Sequence, residues 1–310
     1  MTLDSNSDSN SNSKPNKNYR HILQETVNKK YRRRLLVNRL VTIFTIVCVI
    51  AAIVPLVSIL LEVVKNGASA ISFEFLTQPQ GSMGSGTGGI APAIQGTIIV
   101  VGLASLIAAP IGVLAGIYLS EFAKKGIFVD LVRFFNDVLT GLPSIVIGIV
   151  GYTAIVLSIG SFSVIAGALS LSIIMIPIVV RVTEETLKVV PYSLREAGYS
   201  LGISKAIITL FIVLPSAKNG ILTGIVLAIS RIAGETAPLI MTILGTSLFF
   251  TGITGPVDAL PLRIWRLSSQ PYESAHAFGW GSALILILMI LALSVGLRLW
   301  AQKRSLKAVI

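Results

Sequence analysis

The sequence is poor in charge, in cysteine and in histidine, and each shortage excludes something. Only 13% of its 310 residues are Asp, Glu, Lys or Arg, about half the share of an ordinary soluble domain. With 53% hydrophobic residues and a mean hydropathy of +0.83, there is too little polar side chain to cover a soluble fold of this size. A helical membrane protein with several spans is the reading that remains. The single cysteine, Cys48, lies in an apolar run, so no disulfide forms within the chain. His21 and His276 are the only histidines, and no CxxC or zinc spacing occurs. A metal site built from this chain is not expected, and neither is a cofactor. No Gly-Lys-Ser/Thr follows the glycine-rich stretch Gly81–Gly89 or any other segment, so there is no phosphate loop for ATP.

Basic residues are plentiful, with a net charge of +11. They flank apolar runs, which argues for membrane orientation and against a nucleic-acid partner. Six apolar segments are expected to span, at 36–63, 93–119, 139–159, 163–181, 218–241 and 281–301. The third and fourth meet near Gly160 as a helical hairpin. Of the 25 Lys and Arg residues, 21 fall on one side of these spans and three on the other: Lys65, Arg263 and Arg266. The positive-inside rule puts both termini in the cytoplasm of a multi-pass cell-membrane protein. The last basic residue, Arg231, falls inside a span. The domain division expected is a disordered, basic tail over 1–34, a permease domain over 35–301 with a loop at 182–217, and a short tail over 302–310. Within the first tail, residues 19–34 read either as a basic helix lying on the membrane or as a solvated flank.

The 182–217 loop reads as helix, glycine, helix. Pro191 suits a helix start, Tyr192 or Ser193 precedes an acidic first turn at Glu196, Gly202 ends the helix, and Ser204 can cap the next one. Glu196 and Arg195 can orient on a partner, while Ala197, Gly198 and Gly202 permit close backbone approach. Such a unit is a lever between two spans or an amphipathic connector. In the fifth span, Arg231 and Glu235 are four apart and share a helix face. A charge at mid-membrane costs at least about 2.5–3.5 kcal/mol. The pair therefore reads as part of a substrate path, with a structural ion pair as the alternative. Arg matches oxyanion oxygens, and Glu can accept the proton of a protonated oxyanion. Gly234 leaves space and Thr236 adds a hydroxyl. An unprotonated oxyanion such as sulfate would be repelled.

Glu196, Ala197, Gly198, Gly202, Ile212, Leu214 and Pro215 resemble, in spacing, the coupling motif of permease subunits of binding-protein-dependent ABC importers. That motif is Glu-Ala-Ala, three residues, Gly, nine residues, Ile, one residue, Leu-Pro. Gly198 stands where the family has Ala. The run Arg231-Ile-Ala-Gly-Glu-Thr-Ala-Pro-Leu239 is similar to the signature of phosphate importer permeases, in the PstA form. Gly88–Thr97 and Gly141–Gly148 resemble the same family, and the likeness covers about 36–301. The resemblance implies an all-α, type I ABC importer permease fold with six transmembrane helices and a cytoplasmic coupling helix. It also implies partners: a PstC-type permease, two copies of a PstB-type ATPase that bind the ATP and magnesium, and an external PstS-type phosphate-binding protein. On this basis Arg231, Glu235, Gly234 and Thr236 are expected on the substrate path, and the chain itself is not an enzyme. A permease for molybdate or sulfate is the alternative. Glycine-rich 86–97 either offers backbone N–H groups to an anion or is a plain flexible loop.

Overall fold

The computed structural model describes residues 17–81, 87–124 and 126–306. Among these the chain is helical and has no strand, only the isolated bridges Gln80–Gly88 and Leu244–Val257. It divides at Leu61/Glu62. On the N-terminal side the described chain is helix α1, Lys17–Ala68, which continues past the division. The expected boundary at 34/35 therefore falls inside one helix, and the basic stretch 19–34 is helical. The low-complexity residues before Lys17 lie outside the described residues, as do 307–310 at the C-terminus. The helix α13, Glu273–Leu306, takes in the start of the expected C-terminal tail.

Residues 62–310 form one unit. Its helices are α2 (Phe73–Thr77), α3 (Ala91–Ile117), α4 (Ile127–Gly141), α5 (Ser144–Gly151), α6 (Leu157–Ile159), α7 (Val164–Val189) and α8 (Tyr192–Ser200). Then come α9 (Lys205–Ile208), α10 (Leu214–Ile232), α11 (Ala237–Thr242), α12 (Leu260–Ser268) and α13. Single π-helical turns at Tyr118–Phe122, Tyr152–Val156 and Thr209–Val213 join α3 to its end, α5 to α6, and α9 to α10.

Five helical stretches of the described chain are long and apolar enough to cross a membrane. A sixth crossing is a broken one, α4 with α5–α6, bent by 101°. The third expected span, 139–159, therefore starts in the wrong place. Pro143 has no N–H to donate and disfavours helix at the residue before it. Leu142 and Pro143 are accordingly extended, and α5 restarts at Ser144. The fifth expected span, 218–241, also breaks. Helix α10 stops at Ile232, four residues turn, and α11 follows with Pro238 in its first turn.

Close backbone approach holds the unit together, as in membranes where apolar burial between helices gains little over lipid. Helix α3 packs along α7 through two glycines. A Cβ on Gly112 would stand 2.7 Å from Val179 Cβ, and one on Gly116 2.6 Å from Thr183 Cβ. Ser172 Oγ donates to the Ala104 carbonyl across the same seam at 3.2 Å. On the other side of α7, Gly220 and Gly224 admit Thr186 and Val182 in the same way. Helix α7 is thus the centre of the unit, with α3 and α10 against it.

Candidate functional site

Two breaks face each other halfway along α7. Arg231, in the last turn of α10, and Glu235, in the turn after it, line a cavity of about 80 Å³. Thr140 and Leu142 from the end of α4, Ser144 and Ile147 from α5, and Ile174 and Ile178 from the middle of α7 are also on its wall. A single water needs about 10–15 Å³ by this measure, so the space suits a small polyatomic solute. The α4–α5 break is held there by Gly148, whose added Cβ would meet Pro238 Cα at 2.9 Å.

Arg231 Nε lies 3.9 Å from Glu235 Oε1, and the two side chains are 55% and 18% exposed. The expected sharing of one helix face is corrected in detail, because α10 ends at Ile232 and Glu235 sits in the turn beyond it. Its backbone N–H donates to the Ile232 carbonyl at 3.2 Å. The turn still returns Glu235 towards Arg231. The other two expected path residues are not on the cavity wall. Gly234 is exposed with open space around it, and Thr236 contributes its carbonyl to the first turn of α11. In their place the structure brings Thr140 and Ser144, the hydroxyls flanking Gly141-Leu-Pro143. Thr140 Oγ1 donates to the Asn136 carbonyl at 2.8 Å, which leaves its oxygen an acceptor towards the cavity.

The coupling segment forms as expected around Gly202. Its φ of +74° is the left-handed conformation that favours glycine. Gly202 N–H donates to the Tyr199 carbonyl at 2.9 Å and Ile203 N–H to the Gly198 carbonyl at 3.2 Å, the paired bonds of a Schellman end. The start of α8 differs from expectation. Pro191 is the N-cap, no acidic residue lies in the first turn, and Ser204 makes no side-chain cap. Glu196 and Ala197 are exposed, and so are Tyr192, Tyr199 and Leu201.

Three residues of the segment face inward instead of towards a partner. Gly198 is buried, and a Cβ there would stand 2.8 Å from both Cδ1 and Cγ1 of Ile208. Glycine in place of the motif's alanine makes room for that isoleucine. Ile212 and Leu214 pack on the cluster of Leu187, Val190, Ile208 and Val213 beneath α8. Pro215, exposed in the first turn of α10, follows directly on the π-turn Thr209–Val213. A proline interrupts the α-helical ladder, and the wider turn is one way to absorb it.

Arg195 corrects a further expectation. It is buried, and it binds within the chain. Its Nε and Nη2 donate to Glu121 Oε2 and Oε1 at 3.2 and 2.5 Å. Its Nη1 donates to the Val190 carbonyl at 2.8 Å and Nη2 to that of Leu187 at 3.0 Å. The Glu121 carboxylate raises the Arg195 pKa above its ordinary value against the opposing effect of burial.

At the opposite end of α7 lies a second buried charge pair. Arg263 Nη2 is 2.5 Å from Asp258 Oδ2, and the side chains are 1% and 0% exposed. Gln80 Oε1 accepts from Arg263 as well. Read as an ordinary outward-loop residue, Arg263 is in fact core; the signal was an Asp five residues before an Arg in an otherwise apolar run. The glycine-rich start of α3 is no anion cradle. The N–H groups of Gly89, Ile90 and Ala91 donate to Pro79, Phe75 and Gln78 carbonyls. Among the described residues no group of three His, Cys, Asp or Glu is placed to hold a metal.

A helical permease with two broken crossings and an external helix at one end is the arrangement of type I ABC importer membrane subunits. The fold is shared with the solved structure of a bacterial alginate ABC transporter in complex with an alginate-bound periplasmic protein. The TM-score is 0.60 at 14% identity, over 87% of this chain and 94% of that one. Residues 108–304 match the model of the binding-protein-dependent transport system inner membrane component, and the chain belongs to that family. It is similar to the phosphate transport system permease protein PstA of Yersinia pestis, at 37% identity over 91% of this chain and 96% of that protein. The probable phosphate transport system permease protein PstA of Methanocaldococcus jannaschii is also 37% identical, over 83% and 90%.

Proposed function

We propose that the chain is the transmembrane permease subunit of an ATP-driven importer of inorganic phosphate. The observation that carries the reading is the cavity between the two helix breaks, where one guanidinium, one carboxylate and two hydroxyls converge at mid-membrane depth. Charge at that depth is retained for a path more readily than for stability. Arg231 attracts the anion and offers a planar set of donors. Glu235 and the Thr140 oxygen accept, and a monohydrogen or dihydrogen phosphate supplies the proton they need. Sulfate has no such proton and meets the Glu235 charge unrelieved. The relatives named above are phosphate permeases, in line with this preference and against a molybdate or sulfate path.

The motor is a separate chain. In the proposed assembly, two PstB-type ATPase copies bind ATP and magnesium, and one grips the exposed face of α8 around Glu196 and Ala197. A PstC-type permease completes the pore, and a PstS-type protein delivers phosphate from outside. Both termini and α8 face the cytoplasm, in keeping with the basic residues on that side. Closure of the ATPase dimer shifts α8 and turns the cavity outward; hydrolysis resets it.

The test is uptake of labelled phosphate into vesicles holding the four kinds of subunit, with sulfate and molybdate as competitors. Uptake dependent on ATP, and resistant to both competitors, is expected. A complex that moves sulfate or molybdate in preference would refute the substrate assignment.

A further inference from the structure

We infer that the Glu121–Arg195 pair is the joint through which movement of the coupling helix reaches the substrate cavity. The inference rests on the function proposed above and names a positioning pair within it.

The argument starts from where Arg195 sits. It is on α8, next to the exposed Glu196, yet its own side chain turns inward. One arm of the guanidinium clasps Glu121 through both carboxylate oxygens. The rest donates to the carbonyls of Leu187 and Val190, the last turn of α7 and its C-cap. These are orphan acceptors at a helix end, which favour a cation. Glu121 belongs to the π-turn that finishes α3. One side chain therefore ties α8 to the ends of both α3 and α7.

Those two helices act together. The glycine contacts at 112 and 116 and the Ser172 bond lock α3 along α7. Helix α7 supplies Ile174 and Ile178 to the cavity wall. A displacement of α8 is thus delivered to a pair of helices that carry one side of the cavity. The fork geometry of arginine suits this role. It fixes direction as well as distance, which a lysine point charge does not. The remaining connection of α8 to α7 is the short stretch Val190–Pro191, and that of α8 to α10 runs through the Gly202 turn. Neither of these connections reaches α3.

The experiment compares wild type, Glu121→Gln and Arg195→Lys in the full reconstituted complex. Three quantities are measured: retention of the ATPase, ATP hydrolysis stimulated by the phosphate-loaded binding protein, and phosphate moved per ATP hydrolysed. The expected result is an assembled complex that still hydrolyses ATP while phosphate per ATP falls at least tenfold in Glu121→Gln and less in Arg195→Lys. A bond that served stability alone would lower the amount of complex and leave that ratio untouched. An unchanged ratio in both variants overturns the inference. So does failure of both variants to assemble, which would assign the pair to folding. A wild-type complex that hydrolyses ATP but moves no phosphate would instead refute the substrate reading, a separate outcome from either.

Discussion

Adding one methyl at Gly198 sets two known effects against each other. In an exposed helix, Gly to Ala is favourable by about 0.8–1 kcal/mol. Here the new Cβ would stand 2.8 Å from two carbons of Ile208, a side chain 1% exposed. Overpacking of this kind costs about 1–3 kcal/mol. The penalty exceeds the propensity gain over most of that range, so Gly198→Ala is expected to be neutral to about 2 kcal/mol destabilising. For chains of 150–250 residues each kcal/mol shifts the melting temperature by about 2–4 °C. Ile208→Ala alone should cost about 2–5 kcal/mol as a buried truncation. Combined, the two changes should cost less than their sum by about 1–3 kcal/mol, because the truncation removes the clash and the methyl fills part of the hole. Melting of the purified complex for the four members of the cycle reads this directly, with ATPase retention in a pull-down as a second measure. Additive behaviour, or a Gly198→Ala variant about 1 kcal/mol more stable than wild type, would refute the packing argument.

Arg231→Gln should abolish phosphate uptake and leave assembly and melting nearly unchanged. A pair 3.9 Å apart and half exposed is worth about 0–1 kcal/mol; a large fall in melting temperature would count against a role on the path. Thr140→Val and Ser144→Ala should each reduce uptake at saturating binding protein while ATPase docking persists, and full uptake in the double variant would remove them from the path. Glu196→Lys should release the ATPase from the membrane complex. Gly202→Val should do the same more weakly, by straining a left-handed position at about 1–2 kcal/mol; retention with coupled hydrolysis would contradict the docking assignment. Asp258→Asn leaves Arg263 buried without its counter-ion and should destabilise by about 3–5 kcal/mol, seen as lost expression or melting; a silent substitution would show that the pair is not core.

The spans, the coupling helix and the Arg231/Glu235 pair were all legible in the sequence. Each is written in local terms: apolar runs of span length, a glycine where the chain must turn left-handed, and a charge where none is free. What was not legible depends on contacts distant in sequence. Thr140 and Ser144 reach Arg231 only because Pro143 breaks its span opposite the break at residues 233–236. Arg195 was read as outward because α8 has two faces, and only Glu121, 74 residues earlier, decides which one it takes. Gly198 gave no sign of its reason until Ile208 was placed beneath it. Periodicity was of little help, since a helix apolar all round does not mark the side that faces its neighbours.

The π-turn at Thr209–Val213 sets a phase. It lies in one continuous helical stretch that starts at Lys205, close to the coupling helix, and ends at Ile232, past Arg231. Each residue of an α-helix advances about 100°. Removing one residue from that turn would swing everything after it by about that angle, carrying Arg231 off the cavity wall while every contact of α8 stayed in place. The angular setting between the face that meets the motor and the residue that meets the anion is therefore held in a single turn of backbone, and length there matters more than the identity of any side chain.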